Sequence, residues 1–96
     1  MSLEELYTIE RARIRKLAIH YSRIFGAEPE DLLQTGALAV CETYVRYAGS
    51  VTDEVLLTLS HRIINRMMYK FALKEYRYRK LLQLYESEAG QNEEII

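Results

Sequence analysis

Five basic residues, Arg62, Arg66, Lys70, Lys74 and Arg77, step by four, four, four and three along the chain. At about 100° per residue, that spacing holds them within roughly a third of a helix circumference. Asn65, Tyr69, Tyr76 and Tyr78 are interleaved with them. Basic side chains supply the salt-dependent attraction to phosphates. Tyrosines can stack on exposed bases, and an asparagine can read a base edge. The same spacing also suits a solvated face of a surface helix. A second cluster, Glu28, Glu30 and Asp31 with Gln34 one turn on, surrounds the only proline, Pro29. Negative charge there favours the positive end of a helix dipole. It also makes a small acidic patch for a basic partner surface.

The charges are segregated. Residues 61–80 carry seven basic groups and one acidic group, whereas residues 81–96 carry four acidic groups and no basic one. The net charge of −1 therefore conceals a local +6 followed by −4. A field of that kind suits a polyanionic partner.

Catalysis and metal binding find no support in these residues, and no cofactor is implied. His20 and His61 have no second ligand at metal spacing. There is neither a phosphate-cradling glycine loop nor a Gly-x-Ser-x-Gly elbow. Cys41 is the only cysteine, which rules out an internal disulfide and suits a reducing cytosol, so a cytoplasmic location is expected. Its position implies a core residue of the second helix. No run of about 18 apolar residues occurs, so no membrane span is expected.

The elements that carry these residues are helices. Ser2 and Glu5 have capping-box spacing. Leu6, Ile9, Ile14, Leu17, Tyr21 and Ile24 then recur at helical steps as far as Gly26, a natural left-handed stop. Pro29 opens a second helix, with Leu33, Ala37, Val40, Tyr44 and Tyr47 as its apolar row. Gly36 lies inside it and would let a neighbouring helix come close. That helix should end near Ala48, Gly49 and Ser50. Thr52 caps a third, whose row is Leu56, Leu59, Ile63, Met67 and Phe71, widened by Leu57, Ile64 and Met68. No breaker follows until Gly90. Because a helix of that length is unusual in a small domain, a bend or break is expected near 74–80. The expected fold is all-α: one domain over 1–88, three to four helices with a long C-terminal one, and an acidic, disordered tail over 89–96.

Glu30-Asp31-Leu32-Leu33-Gln34-Thr35-Gly36, followed by apolar residues and Tyr47, resembles the Glu-Asp-Leu-Ile-Gln-Glu-Gly…Phe run in conserved region 2 of sigma-70 family factors. Leu56-Leu57-Thr58-Leu59-Ser60-His61-Arg62-Ile63-Ile64-Asn65-Arg66 lines up without a gap against the family's next helix. The similarity runs over roughly residues 9–80. It implies that Glu30, Asp31 and Gln34 dock on the β′ clamp helices of RNA polymerase. It also implies that Asn65, Arg66 and Lys70 lie near the promoter −10 element. Arg62, Tyr69, Lys74 and Arg77 would complete that DNA face.

The chain departs from the family pattern at Thr35, where the family has an acid. It departs again at Leu56, Leu59, Arg62 and Ile63, which replace the aromatic residues that trap flipped bases. Nothing after residue 80 resembles the part that reads the −35 element; the resemblance then fits half of a two-chain sigma factor completed by a second sigma-like chain, a phage or mobile-element regulator at the sigma site, or a fragment of a longer protein. The alternative is a helical adaptor or oligomerisation module whose third helix pairs with another protein. A helix that binds RNA would use the same charges.

Overall fold

The computed structural model describes the backbone of residues 1–95 and the side chains of residues 1–89, so the acidic tail expected over 89–96 lies outside the fully described residues apart from Ala89. Three helices form the molecule: α1 (Leu3–Phe25), α2 (Pro29–Tyr47) and α3 (Asp53–Ile95). The fold is all-α, with a long C-terminal helix.

Each end is set by local chemistry. Ser2 Oγ accepts the Glu5 backbone N–H at 3.1 Å, which satisfies one of the free donors of the first turn of α1. At its far end Gly26 adopts φ 72°, and its N–H donates to Ser22 O at 2.8 Å. A side chain there would be strained, and its Cβ would also meet the Arg79 guanidinium at 2.7 Å. Pro29 occupies the first turn of α2, where its missing N–H costs nothing. Gly49, at φ 86°, turns the chain after α2, and Thr52 Oγ1 accepts the Val55 N–H at 3.3 Å to start α3.

Contacts between the helices fix their directions. The Met1 amine lies 3.4 Å from Asp53 Oδ1, Glu10 meets His61, and Phe25 packs on Tyr69 and Tyr76. Thus α1 runs parallel to α3, and α2 returns antiparallel to both. The three cross at Gly36. A Cβ added there would sit 2.5 Å from Ile14 Cγ2 and 3.1 Å from Met68 Sδ. Gly36→Ala would gain about 1 kcal/mol of helix propensity. It must also displace Ile14 in a packed core, which costs about 1–3 kcal/mol. Urea denaturation should show a net loss of about 1 kcal/mol for Gly36→Ala and a larger loss for Gly36→Val. A Gly36→Ala protein more stable than wild type would mean that the crossing relaxes freely.

The core is centred one residue away from two of the expected rows. In α2 the buried positions are Leu32, Gly36, Ala39, Val40 and Thr43, while Leu33 is exposed. In α3 they are Leu56, Ser60, Ile64, Met68 and Ala72, with Leu59, Ile63, Met67 and Phe71 half-buried beside them. Small residues occupy the centre because α2 is covered by two helices at once. Buried hydroxyls are tolerated because each finds a carbonyl: Thr43 Oγ1 donates to Ala39 O at 2.7 Å and Ser60 Oγ to Leu57 O at 3.0 Å. In α1, Ile9 and Ile24 are half exposed, and Glu10 takes an inward position instead. Cys41 is exposed and not part of the core, because it lies on the outer side of α2.

The bend expected near 74–80 is absent. α3 is one helix through that stretch, which has neither proline nor glycine to interrupt the hydrogen-bond ladder. Every residue from Lys74 to Glu88 is exposed. Its last ties to the body are Tyr76 on the Phe25 ring and Arg79 Nη2, which donates to Phe25 O. Beyond them α3 projects freely, and the molecule measures 65 × 22 × 16 Å.

Candidate binding faces

Glu30, Asp31 and Gln34 are all exposed in the first turns of α2. Glu28 is the N-cap residue but makes no side-chain capping bond, so the acidic groups act on the helix end through its dipole alone. Thr35 turns its hydroxyl back onto Asp31 O at 2.8 Å. The same helix therefore splits the Glu30–Gly36 run in two: Leu32 and Gly36 point into the core, whereas Asp31 and Gln34 point outward. Their face continues along α2 through Leu38 and Val45, which are 63% and 83% exposed. Sequence periodicity had offered no reason to single these two out. Acidic and amide groups at one end of an apolar ridge make a surface suited to a partner helix with a basic rim.

Arg62, Arg66, Lys70, Lys74 and Arg77 are likewise all exposed, in one row along α3. Arg66 and Lys70 border a groove against α2, with Ile63 and Met67 at its floor and Glu42 and Arg46 on the opposite wall. Arg46 thus adds a cation to this side that spacing within α3 could not reveal. Its ion pair with Glu42 is long, 3.9 Å, and both side chains are exposed, so it is worth no more than about 1 kcal/mol. Arg46 remains free to turn toward another anion.

Asn65 and Tyr69 lie on the other shoulder of α3, against α1. Tyr21 donates its hydroxyl to Asn65 Oδ1 at 3.2 Å. Tyr69 packs edge-on to Tyr21 and Phe25, with ring centroids 6.0 and 5.9 Å apart. Tyr76 extends this ladder on Phe25, and the Lys80 ammonium lies 5.6 Å from its ring centre. Burial pushes the Tyr21 hydroxyl above the usual tyrosine range, Tyr69 adds to that shift and Arg13 opposes it. The structure therefore separates two groups that the sequence had interleaved. The cations form an open row, and Asn65 and Tyr69 tie α3 to α1.

One polar pair had no signal as a site. Glu10 is 1% exposed, and its Oε1 accepts His61 Nε2 at 2.7 Å. Among the described residues its Oε2 has no hydrogen-bond partner, nor does the buried Nε of Arg13. The clue in the sequence is phase: Leu6, Glu10, Ile14 and Ala18 follow one another at steps of four, so Glu10 had to face inward.

Among the described residues no group of three or more His, Cys, Asp or Glu is placed to hold a metal ion, and no helix is long and apolar enough to cross a membrane. Comparison with protein-family models, with curated proteins and with solved structures finds no match for this chain.

Proposed function

We propose that this chain is a transcription initiation factor that works like region 2 of a sigma factor. The outer face at the start of α2, with Glu30, Asp31 and Gln34, docks on the β′ clamp helices of RNA polymerase. The open basic row of α3, with Arg62, Arg66, Lys70, Lys74 and Arg77, meets promoter −10 DNA. Asn65 and Tyr69 hold the DNA-facing helix against α1. The observation that carries this reading is the division of the Glu30–Gly36 run. Its glycine forms the three-helix crossing while its acid and amide stay free for a partner. A capping cluster with no further role would not need Gln34, Leu38 and Val45 exposed on the same side.

The test is capture of core RNA polymerase, or of an isolated β′ clamp fragment, by the purified chain. Asp31→Ala with Gln34→Ala removes two exposed side chains whose one contribution to the fold is the Asp31 charge at the α2 dipole. Binding should weaken by about ten- to a hundredfold, as for loss of two contributing interface residues, with stability lowered by no more than about 1 kcal/mol. If the folded double variant binds like wild type, the docking role is wrong. If neither protein binds, the whole sigma-like reading falls.

The exposed apolar end of α3 favours a second reading, a helical adaptor. Salt separates the two readings. Contacts made by the basic row weaken steeply as salt rises, while an apolar helix pair does not.

A further inference from the structure

Around and past its last ties to the body at Tyr76 and Arg79, α3 carries Tyr78, Leu81, Leu82 and Tyr85, which are 64%, 67%, 42% and 69% exposed. At about 100° per residue these four lie within roughly a third of the helix circumference. Their strip continues the side of α3 that carries Met67 and Phe71 in the body, but here neither α1 nor α2 covers it. Contiguous exposed apolar surface of this kind marks an interaction site.

The charges along the strip identify its occupant. By the same helical geometry, Arg77 and Glu88 border it on one side, and Arg79 and Glu86 on the other. From Arg77 onward, the cation comes first along the chain on both borders and the anion later. A second copy laid parallel would set like charges level with each other. A second copy laid antiparallel, with a two-fold axis beside Leu82, sets Arg77 level with Glu88 and Arg79 level with Glu86. Symmetry then repeats both pairs in the other half. The wider sequence has the same polarity, +6 over residues 61–80 followed by −4 over 81–96. Arg79 already donates Nη2 to Phe25 O and Nε to Glu75 O, and its remaining guanidinium donors are left for Glu86.

We infer that the projecting end of α3 is a homodimerisation element, in which two copies pair antiparallel through Tyr78, Leu81, Leu82 and Tyr85 with Arg–Glu pairs on both flanks. This is the logic of a short antiparallel coiled coil, in which apolar seams supply affinity and flanking charges choose orientation. It does not rest on the polymerase reading: α2 and the basic row from Arg62 to Lys74 lie outside the paired segment, only Arg77 is common to both, and sedimentation reads the dimer without polymerase or DNA.

Sedimentation equilibrium of the 96-residue chain tests it. Wild type should show a reversible monomer–dimer equilibrium whose upper mass is twice 11.3 kDa. Leu81→Asp with Leu82→Asp should remove the dimer while the helical circular dichroism and melt of the body persist, because both side chains are exposed and neither belongs to the core. Arg77→Glu alone and Glu88→Arg alone should each weaken the dimer by about tenfold, since symmetry doubles every changed pair. The combined Arg77→Glu/Glu88→Arg chain should recover the wild-type constant. A wild-type chain that stays monomeric overturns the inference. So does a dimer that survives the two aspartates, or a charge-swapped chain no tighter than the single variants.

Discussion

His61→Ala is expected to lower the unfolding free energy by about 2–3 kcal/mol, although the side chain removed is 43% exposed. The reason lies in what it leaves behind. Glu10 is 1% exposed, and His61 Nε2 is the only partner of its carboxyl group among the described residues. Truncating the histidine strands that carboxyl in a mainly apolar interior with both oxygens unsatisfied. Partial access of water at the vacated site keeps the loss below the 3–5 kcal/mol typical of a fully buried pair. Replacing the other partner has the opposite sign. Glu10→Met keeps an unbranched side chain of similar length and removes the desolvated oxygens, while His61 stays half in water. Its stability should equal or exceed that of wild type. Glu10→Met with His61→Ala should recover most of the loss, giving a coupling energy of about 2 kcal/mol in a double-mutant cycle by urea denaturation. A His61→Ala protein within about 0.5 kcal/mol of wild type would contradict the idea that His61 supports the buried acid.

The same pair shows where sequence reasoning stops. Caps are local, so Ser2, Gly26, Pro29 and Thr52 fixed the ends of the helices from the residues alone. The exposure of Arg62, Arg66 and Lys70 follows just as directly, because five cations on one strip cannot be buried. What periodicity cannot supply is the centre of a buried arc. Rows drawn through the largest apolar residues favoured Leu33 and Ile63. The helices instead meet over Gly36, Ser60 and Ala72, where small side chains let backbones approach. A glutamate in phase with Leu6 and Ile14 was passed over because its partner, His61, lies on another helix. The bond from Tyr21 to Asn65 is hidden for the same reason, since the two lie 44 residues apart in sequence. The missing break in α3 differs in kind. Its length argued against one helix, yet the residues contain nothing that stops one, and the local chemistry prevails.

The separation of the cations from Asn65 and Tyr69 yields the second large effect. If Arg62, Arg66, Lys70, Lys74 and Arg77 each neutralise one phosphate, the slope of log affinity against log salt should be about −4.5 on duplex DNA. Raising salt from about 50 to 200 mM then weakens binding by about 500-fold. Changing Arg62, Arg66 and Lys70 together to Ala should reduce the slope to about −1.8, so that the same salt step costs only about tenfold. The three side chains are exposed and belong to no hydrogen bond or ion pair among the described residues, so the melt should not move. Asn65→Ala and Tyr69→Ala should behave the other way round. They remove the Tyr21 hydrogen bond and ring contacts that hold α3 to α1, so stability should fall by about 1 kcal/mol while the salt slope stays near −4.5. Fluorescence anisotropy on a labelled duplex across a salt series, paired with thermal melts, reads both quantities. An unchanged slope in the triple variant would remove the row from the DNA face. Arg46 and the Lys74–Arg77 end would then be the remaining cations to test. A slope reduced by Asn65→Ala would instead show that Asn65 leaves Tyr21 when DNA arrives, and that the shoulder packed on α1 in the free protein opens to take part in binding.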